Sequence, residues 1–238
     1  MHIAVCDDNL ADRHQMERLL GRESDKQEDT SEMLVVDSFG NPEKMLAHPK
    51  AYDLVFIDIC QTEGMDAVGV ANELLEKGVH CPIVMCVSSI DYRQSASLPE
   101  NTLFLDKPIK VAELHDIIEQ AKVVKDEMPD QIELRKVMET VYVNVGDIIY
   151  AHEKSDKTHV MLVSGEELTS HEPLWLFKRS LGKKHPEFIF ATPMVLINAD
   201  HIQGWGRLGT VIMEGGKKFH VVRQSKEEIK KYTGESNT

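Results

Sequence analysis

Four groups of polar residues in the first half of the chain stand directly after short apolar runs. An acidic pair, Asp7-Asp8, follows the first run, and Asp58 ends the third. Ser88-Ser89 follows the fourth run, and Lys107-Pro108 follows the fifth. If the runs are parallel strands of one sheet, their carboxyl ends meet at one edge, where chemistry gathers in open α/β sheets. The spacing therefore predicts a site with three carboxylates, a hydroxyl and a lysine.

The predicted site has the composition of a divalent-cation centre. Clustered carboxylates repel one another unless a cation lies among them, and their hard oxygen atoms suit Mg²⁺. Lys107 would pair with negative charge added at the site, and the Ser88 hydroxyl could donate to a phosphoryl oxygen. Each feature alone has an ordinary explanation, since Asp8 or Asn9 would also cap a helix and Asp58 could form a turn. Their occurrence together, in this order, favours the functional interpretation.

Alternating strands and helices are expected to position these residues. The strands are compact apolar runs, and the intervening helices repeat apolar residues at helical spacing. The strands are expected at His2–Cys6, Met33–Val36, Leu54–Ile57, Ile83–Val87 and Leu103–Leu105. Helices are expected around Met16–Leu20, after Asn41-Pro42, around Val70–Leu75 before Gly78, and around Leu114–Ala121; the segment Ser89–Ser97 is too weakly patterned to assign. Residues 1–121 are thus predicted to form a doubly wound, five-stranded parallel α/β sheet.

Beyond residue 121 the apolar pattern changes towards alternation. Residues 122–131 are polar, contain Pro129, and are interpreted as a linker, or as a helix extension followed by one. Residues 132–235 are predicted to form a mostly-β domain, and residues 236–238 a tail. The strands of the mostly-β domain are expected at 141–145, 148–151, 159–163, 188–190, 195–197, 211–213 and 219–222, and its single helix at Leu174–Leu181.

Charge is divided unevenly between the two predicted domains. Residues 1–131 carry 12 Lys and Arg against 26 Asp and Glu, whereas residues 132–238 carry 15 against 14. The first domain should therefore repel nucleic acid, and DNA binding by the second must depend on local basic patches. The four cysteines form no CxxC pair, which argues against a zinc site built on them. Cys6 and Cys86 are interpreted as small core residues on buried strands.

The sequence gives no sign of membrane insertion. The longest apolar runs, such as Ile83–Val87, are far too short to span a bilayer. The acidic pair at positions 7 and 8 argues against a signal peptide. A cytoplasmic location is therefore expected.

Four blocks of the first domain resemble the signature motifs of two-component response-regulator receivers. The blocks are Ile3–Asp8, Leu54–Ile59, Ile83–Ser88 and Phe104–Pro108. The resemblance implies that Asp58 accepts a phosphoryl group from a sensor histidine kinase. It also implies that Asp8 and Asp58 ligate Mg²⁺ directly, that Asp7 acts through a water molecule, and that the backbone carbonyl of Cys60 is a further ligand.

The same resemblance assigns the residues that respond to the phosphoryl group. Ser88 takes the place of the family's Thr or Ser, and Lys107 contacts the phosphoryl group. Phe104 stands where the family keeps its switch aromatic, although ordinary core packing explains it equally well. A receiver of this kind catalyses only its own phosphorylation and dephosphorylation and is not otherwise an enzyme. The aspartyl phosphate is a local change of charge that biases a two-state surface.

The chain departs from the receiver pattern immediately after Asp58. Residues 60–67 form a stretch that is one residue longer than in the family and lacks its proline. Kinase pairing and the dephosphorylation rate therefore need not follow the family. The spacing also leaves open whether Ser88 or Ser89 supplies the hydroxyl.

The second domain resembles the LytTR family, an all-β DNA-binding domain found after receivers. The resemblance is carried by Val145–Ala151, Leu174–Leu181, Phe188-Ile189, Val195–Ile202 and Gly216–Arg223. It implies a transcription factor that binds promoter DNA, as a homodimer on repeated half-sites when phosphorylated. It also implies that Arg223 matches a DNA-contact position, whereas Asn198 either contacts DNA or holds a turn. Local positive charge that could bind DNA phosphates comes from Lys217, Lys218, Lys226, Lys230 and Lys231. These residues are explained equally well as solvated surface lysines.

The basic stretch of the LytTR family is missing from the second domain. Its positions hold Phe190, Thr192 and Pro193. The replacements support an alternative, in which the domain has lost DNA reading and binds a protein partner. In a third hypothesis the receiver only transfers phosphate and the C-terminal half is inert.

Overall fold

The structure is a computed structural model that describes residues 1–26, 33–47, 49–59, 65–88, 92–95, 97–136 and 139–233. The chain divides into two compact units, Met1–Pro129 and Asp130–Thr238. Among the helices of the described residues, none combines the length and the apolar character needed to cross a membrane.

The first unit is built on a five-stranded parallel sheet. Its strands are β1 (His2–Asp7), β2 (Val35–Phe39), β3 (Leu54–Asp58), β4 (Ile83–Val87) and β5 (Thr102–Asp106). They lie in the order β2-β1-β3-β4-β5, and every neighbouring pair is parallel. This is the flavodoxin-like doubly wound order, in which the connections change direction between β1 and β3. Strands β3 and β4 are buried at every position, as expected when helices cover both faces. The predicted fold class of this half is confirmed.

The helices of the first unit follow the apolar spacing in the sequence. They are α1 (Leu10–Lys26), α2 (Pro42–Ala47), α3 (Ala67–Glu76) and α4 (Val111–Glu127). Helices α1 and α4 contribute to one core cluster with the sheet, through residues such as Leu20 and Leu114. Gly78, with φ 85°, follows the end of α3, where the backbone requires a left-handed conformation that glycine adopts freely. The segment Ser89–Ser97 lies partly outside the described residues, and its described part contains no helix.

The junction between the units begins as helix. Helix α4 continues to Glu127, so residues 122–127 of the predicted linker are helical, and the next strand begins at Gln131. Only a short connection around Pro129 then joins the two units. No backbone N–H is available at a proline, which suits a position where the helix has ended.

The second unit is mostly β-structure, as predicted. Its strands are β6 (Gln131–Arg135), β7 (Thr140–Asn144), β8 (Ile148–Lys154), β9 (Lys157–Leu162), β10 (Glu167–Ser170), β11 (Phe188–Thr192), β12 (Val195–Asn198), β13 (Ile202–Trp205), β14 (Thr210–Met213) and β15 (Lys218–His220). They form antiparallel sheets in the orders β10-β9-β8-β12-β11, β13-β14-β15 and β6-β7. Two helices accompany them, α5 (Leu174–Leu181) and α6 (Arg223–Thr233).

The larger sheet of the second unit buries both of its faces. Phe188 and Leu196 belong to a cluster that includes Phe177 of α5, whereas Ile189 and Ile197 belong to a second cluster. Neighbouring residues of a strand point to opposite faces, so the two clusters lie on opposite sides of the sheet. The second cluster also contains Val211, Met213 and Ile229 from β14 and α6.

Two expectations for the second unit are wrong. Leu174–Leu181 is not its single helix, because α6 also forms, and the strand expected at 219–222 is displaced to Lys218–His220. Helix α6 has one aliphatic residue, Ile229, among its eleven residues, and it buries only Ser225 and Ile229. Such a sparse apolar stripe gives little helical periodicity to detect.

Candidate functional site

Two buried aspartates form the centre of the candidate site. Asp7 ends β1 and Asp58 ends β3, and the two residues are direct partners in the parallel ladder. Asp7 is 4% exposed and Asp58 is 6% exposed. Two carboxylates side by side in a buried place repel each other and lose hydration, so a compensating positive charge is required.

Lys107 supplies positive charge to this pair. Its Nζ contacts Oδ2 of Asp58 and lies 3.8 Å from Oδ2 of Asp7. The backbone N–H of Lys107 donates to the carbonyl of Val87, 2.8 Å away, which fixes the residue beside the end of β4. The Lys107-Pro108 peptide bond is cis. The sheet edge thus gathers the lysine and both aspartates, as the strand ends predict.

Asp12 is a third carboxylate of the site, and sequence reasoning missed it. It lies in the first turn of α1, and its Oδ2 accepts a hydrogen bond of 2.6 Å from Lys107 Nζ. Asp7, Asp12 and Asp58 each offer an oxygen atom within 4.8 Å of the others. The signal for it was the Asn9 cap: the Asn9 Oδ1 accepts from the Ala11 N–H at 2.9 Å, which starts the helix and places Asp12 in its first turn.

The pKa values at the site reflect crowded negative charge. Burial, first of all, raises the pKa of Asp7 to about 6, with a further increase from Asp58 and Asp12. The Asn9 N–H, which donates to Asp7 Oδ1 at 2.8 Å, and the Lys107 ammonium act in the opposite direction. Burial alone would lower the pKa of Lys107, but its hydrogen bonds to Asp12 and Asp58 outweigh burial and raise the pKa above its ordinary range. The lysine is therefore charged, yet the site keeps an excess of negative charge.

Of the predicted ligands Asp8 and Cys60, the structure describes only Asp8. Asp8 is exposed, and its carboxylate is not part of the group that Asp7, Asp12 and Asp58 form among the described residues. Cys60 lies outside the described residues, as does Ser89. The first unit therefore brings together Asp7, Asp58 and Lys107 of the predicted set.

The predicted switch residues lie on or next to β4 and β5, the strands adjoining Lys107. Ser88 follows β4 and is exposed, and Phe104 of β5 is half-buried. The Arg93 guanidinium lies 5.2 Å from the centre of the Phe104 ring, and its Nη2 donates to Asp106 Oδ1 at 2.6 Å. A cation over an aromatic face is an attractive contact, so Arg93 contributes to the surroundings of the Phe104 ring.

A cleft of about 290 Å³ opens beside the acidic cluster. Carboxylates and the lysine lie at one side of it, whereas Met16 and Ile109 supply apolar surface. The lining residues are Asp7, Asp12, Gln15, Met16, Cys86, Lys107, Pro108 and Ile109. A small charged group therefore has a path to the Lys107 ammonium.

The basic residues predicted to contact DNA lie mainly on α6 and around β15. Arg223 begins α6 and is exposed, and Lys226 and Lys230 follow it at spacings that place the three on one side of the helix. Lys217 and Lys218, at the start of β15, and Lys231 are exposed. Lys226 is half-buried, and a Cβ at Gly209 would overlap its ammonium group.

Asn198 is placed as a turn residue rather than a surface contact. It is 2% exposed, its Nδ2 donates to the Ile148 carbonyl at 3.0 Å, and its Oδ1 accepts from the Asp200 N–H at 3.0 Å. Of the two roles left open by the sequence, the contacts support the turn. At the positions of the missing basic stretch, Phe190 packs against the α5 side of the core and Thr192 Oγ1 accepts from the Met194 N–H.

Comparisons with known proteins show resemblances of fold to both units. No protein-family profile matches the chain, and no curated protein is similar to it in sequence. A LytTr DNA-binding domain of a putative methyl-accepting/DNA response regulator from Bacillus cereus is 21% identical, covering 45% of this chain and 99% of that one, with a TM-score of 0.37. A signal receiver domain of a modulated diguanylate cyclase from Desulfovibrio desulfuricans is 21% identical, covering 53% and 96%, with a TM-score of 0.42. A response regulator receiver protein from Sinorhizobium medicae is 21% identical, covering 52% and 96%, with a TM-score of 0.41. These neighbours include both kinds of domain that the sequence resembles.

Proposed function

We propose that this chain is a two-component response regulator, with a receiver at residues 1–121 that is phosphorylated on Asp58 and an output domain at residues 132–235 that binds promoter DNA. The observation that carries the receiver assignment is the placement of the Lys107 ammonium among Asp58, Asp12 and Asp7 at the β1/β3 switch point. Ligands of doubly wound sheets bind at this point. The arrangement offers a nucleophile, a fixed cation and room for a divalent ion.

Asp58 is the nucleophile in this proposal. One of its carboxylate oxygens bonds to the phosphorus of a phosphohistidine on a sensor kinase or of a small acyl phosphate, and the bond from phosphorus to the leaving group breaks. Lys107, already in contact with Asp58 Oδ2, pairs with the negative charge of the transferred group. The Ser88 hydroxyl donates to a phosphoryl oxygen, and the ring of Phe104 responds to that movement.

The acidic cluster fits a magnesium ion. Asp7 and Asp58, with Asp8 and the Cys60 carbonyl, are the residues we propose to hold it, and Asp12 is an additional carboxylate within reach. The raised pKa of Asp7 supports this assignment, because burial, followed by the charges of Asp58 and Asp12, disfavours an ionised carboxylate that a bound cation would stabilise. When bound, Mg²⁺ neutralises charge on the transferring phosphoryl group. The chain performs this transfer on itself and is not proposed as an enzyme for other substrates.

The output domain is proposed to bind promoter DNA as a homodimer of the phosphorylated chain in the cytoplasm. Arg223, Lys217 and Lys218 are exposed cations that can pair with phosphates. Because Asn198 is buried and Phe190 offers no hydrogen-bonding group to a base, Arg223 is the residue on which sequence reading most depends. The burial of Asn198 and the packing of the half-buried Phe190 against the core favour the second candidate, in which the same domain binds a protein partner.

A gel shift with the chain's own upstream DNA distinguishes these two functions. We expect acetyl-phosphate treatment in Mg²⁺ to increase the fraction of DNA bound, and Arg223→Ala to weaken binding by about 10-fold, within the cost of losing one specific contact. Arg179→Ala, which removes an exposed arginine from α5, is the matched control and should bind as the wild type does. If no Arg223-dependent shift appears even at low salt, the protein-binding function replaces the DNA-binding one.

A further inference from the structure

Three side chains on neighbouring strands of the second unit form a cluster with metal-binding chemistry. His152 of β8 and His159 of β9 are direct partners across the ladder, so both point to one face of the sheet. Thr169 of β10 is the partner of His159, and Glu167 lies two residues before it on the same face. Two imidazoles and a carboxylate therefore lie close together on one face of the sheet, across the edge strand β10 and its neighbours β9 and β8.

The distances within this cluster are short. The His152 and His159 rings stack with centres 5.1 Å apart and planes 19° apart. The His159 Nδ1 lies 3.3 Å from Glu167 Oε1 and 3.2 Å from Thr169 Oγ1. His152, His159 and Glu167 each offer a ligand atom within 4.8 Å of the other two. Small side-chain rotations would bring all three to one ion.

His152 carries a buried nitrogen without a hydrogen-bond partner. Its Nδ1 is buried and is not hydrogen-bonded to any of the residues that the structure describes. A buried polar atom left in this state costs free energy, and a metal ion would satisfy it. Burial, first of all, lowers the pKa of His152, as do His159, Lys217 and Lys154, while Glu167 opposes them.

We propose that His152, His159 and Glu167 bind a transition-metal ion of the Zn²⁺ class. Two imidazole nitrogens and one carboxylate oxygen form a recurrent zinc ligand set, whereas magnesium prefers an all-oxygen set. Three protein ligands leave a fourth position open to water or to a donor from another molecule. The Glu167 side chain is 42% exposed and that of His159 is 19% exposed, so the ion has access from solvent.

The ion would cross-link three strands at one edge of the larger sheet of the second unit. It joins β10, at the edge, to β9 and β8, which otherwise meet through the backbone ladder and side-chain contacts. The face is the one on which Tyr150 packs against Phe219 of β15, with ring centres 4.7 Å apart. Because only the folded unit presents the three ligands together, binding stabilises the folded state.

Zinc titration of the full-length chain against a chromophoric chelator tests this site, in buffer with excess Mg²⁺ to occupy the acidic cluster. We expect one Zn²⁺ per chain that resists Mg²⁺, and a tetrahedral absorption spectrum when Co²⁺ replaces it. His159→Ala should weaken Zn²⁺ binding by at least about 100-fold, because losing even a supporting partner of a ligand costs about 10- to 100-fold. Glu167→Gln, which keeps a similar shape, should weaken it by at least about 10-fold.

The matched control is His171→Ala, since His171 is an exposed histidine of the same unit. It should bind Zn²⁺ as the wild type does. Far-UV circular dichroism shows whether His159→Ala has folded, and if it has not, the Glu167→Gln result decides. The proposal is overturned if the wild type has no Mg²⁺-resistant site, or if folded His159→Ala or Glu167→Gln binds Zn²⁺ as tightly as the wild type.

Discussion

Replacing Asp58 with asparagine is expected to reduce phosphorylation by acetyl phosphate to background, a loss of at least about 100-fold. The amide of asparagine lacks the carboxylate oxygen that must bond to phosphorus, whereas its shape fits the buried place that Asp58 occupies at the end of β3. Intact-mass spectrometry after incubation with acetyl phosphate and Mg²⁺ measures the phosphorylated fraction directly.

The control for this experiment is Asp116→Asn, which changes an exposed aspartate of α4 and should be phosphorylated as the wild type is. Removing Mg²⁺ with a chelator should abolish phosphorylation of both the wild type and this control. Label on Asp58→Asn at the wild-type level would show that another carboxylate is the acceptor, with Asp7 and Asp12 as the nearest alternatives.

Replacing Asp7 with asparagine is expected to stabilise the first unit at pH 7.5 in metal-free buffer. Burial and the neighbouring carboxylates raise the pKa of Asp7 from 3.8 to about 6. A raised pKa in the folded state means that the stabilising contribution is present below about pH 4 and is lost as pH rises through 6. A shift of about two pH units corresponds to roughly 3 kcal/mol, which is the upper limit expected for the gain in Asp7→Asn.

Hydrogen exchange of peptides from β1 and β3 measures this stability without interference from the second unit. Asp7→Asn should exchange more slowly than the wild type at pH 7.5 and at the same rate near pH 4, after correction for the chemical exchange rate. Mg²⁺ should slow exchange in the wild type more than in Asp7→Asn. The fluorescence of Trp175 and Trp205, both in the second unit, should report unchanged unfolding there. Equal or faster exchange in Asp7→Asn at pH 7.5 would contradict the expectation.

The central sheet and most of the acidic site could be predicted because the same residues encode both. Strands β1, β3, β4 and β5 are short apolar runs, and Asp7, Asp58 and Lys107 lie where such runs end, whereas β2 (Val35–Phe39) contains Asp37 and Ser38 and lies two residues later than predicted. Parallel strands place their carboxyl ends together, so position in the sequence translates directly into proximity in space. The prediction needed no knowledge of side-chain conformation.

Asp12 could not be identified in the same way because it lies on a helix rather than at a strand end. An acidic residue in the first turn of a helix is ordinarily explained by the helix dipole. Only the direction of α1 relative to the end of β1 brings its carboxylate to Lys107, and that direction depends on packing of residues such as Leu20. Asp8, by contrast, follows a strand yet is exposed.

The second unit was harder to predict because several of its elements are short or polar. Strand β6 buries Ile132 and Leu134, but it begins within the stretch interpreted as a linker. Strands β10 and β13 have four residues each, too few for alternation to be distinguished from chance. The cluster of His152, His159 and Glu167 depends on the pairing register of three strands, which the sequence does not reveal.

The order of the strands also sets the order in which the residues of the candidate site are synthesised. Asp7 emerges first, Asp58 follows at the end of β3, and Lys107 comes only after β4 and β5. At about 5–20 residues per second, a ribosome needs several seconds to extend the chain from Asp58 to Lys107. During that interval the nascent chain has the two aspartates but lacks their cation, so repulsion between Asp7 and Asp58 opposes the pairing of β1 with β3.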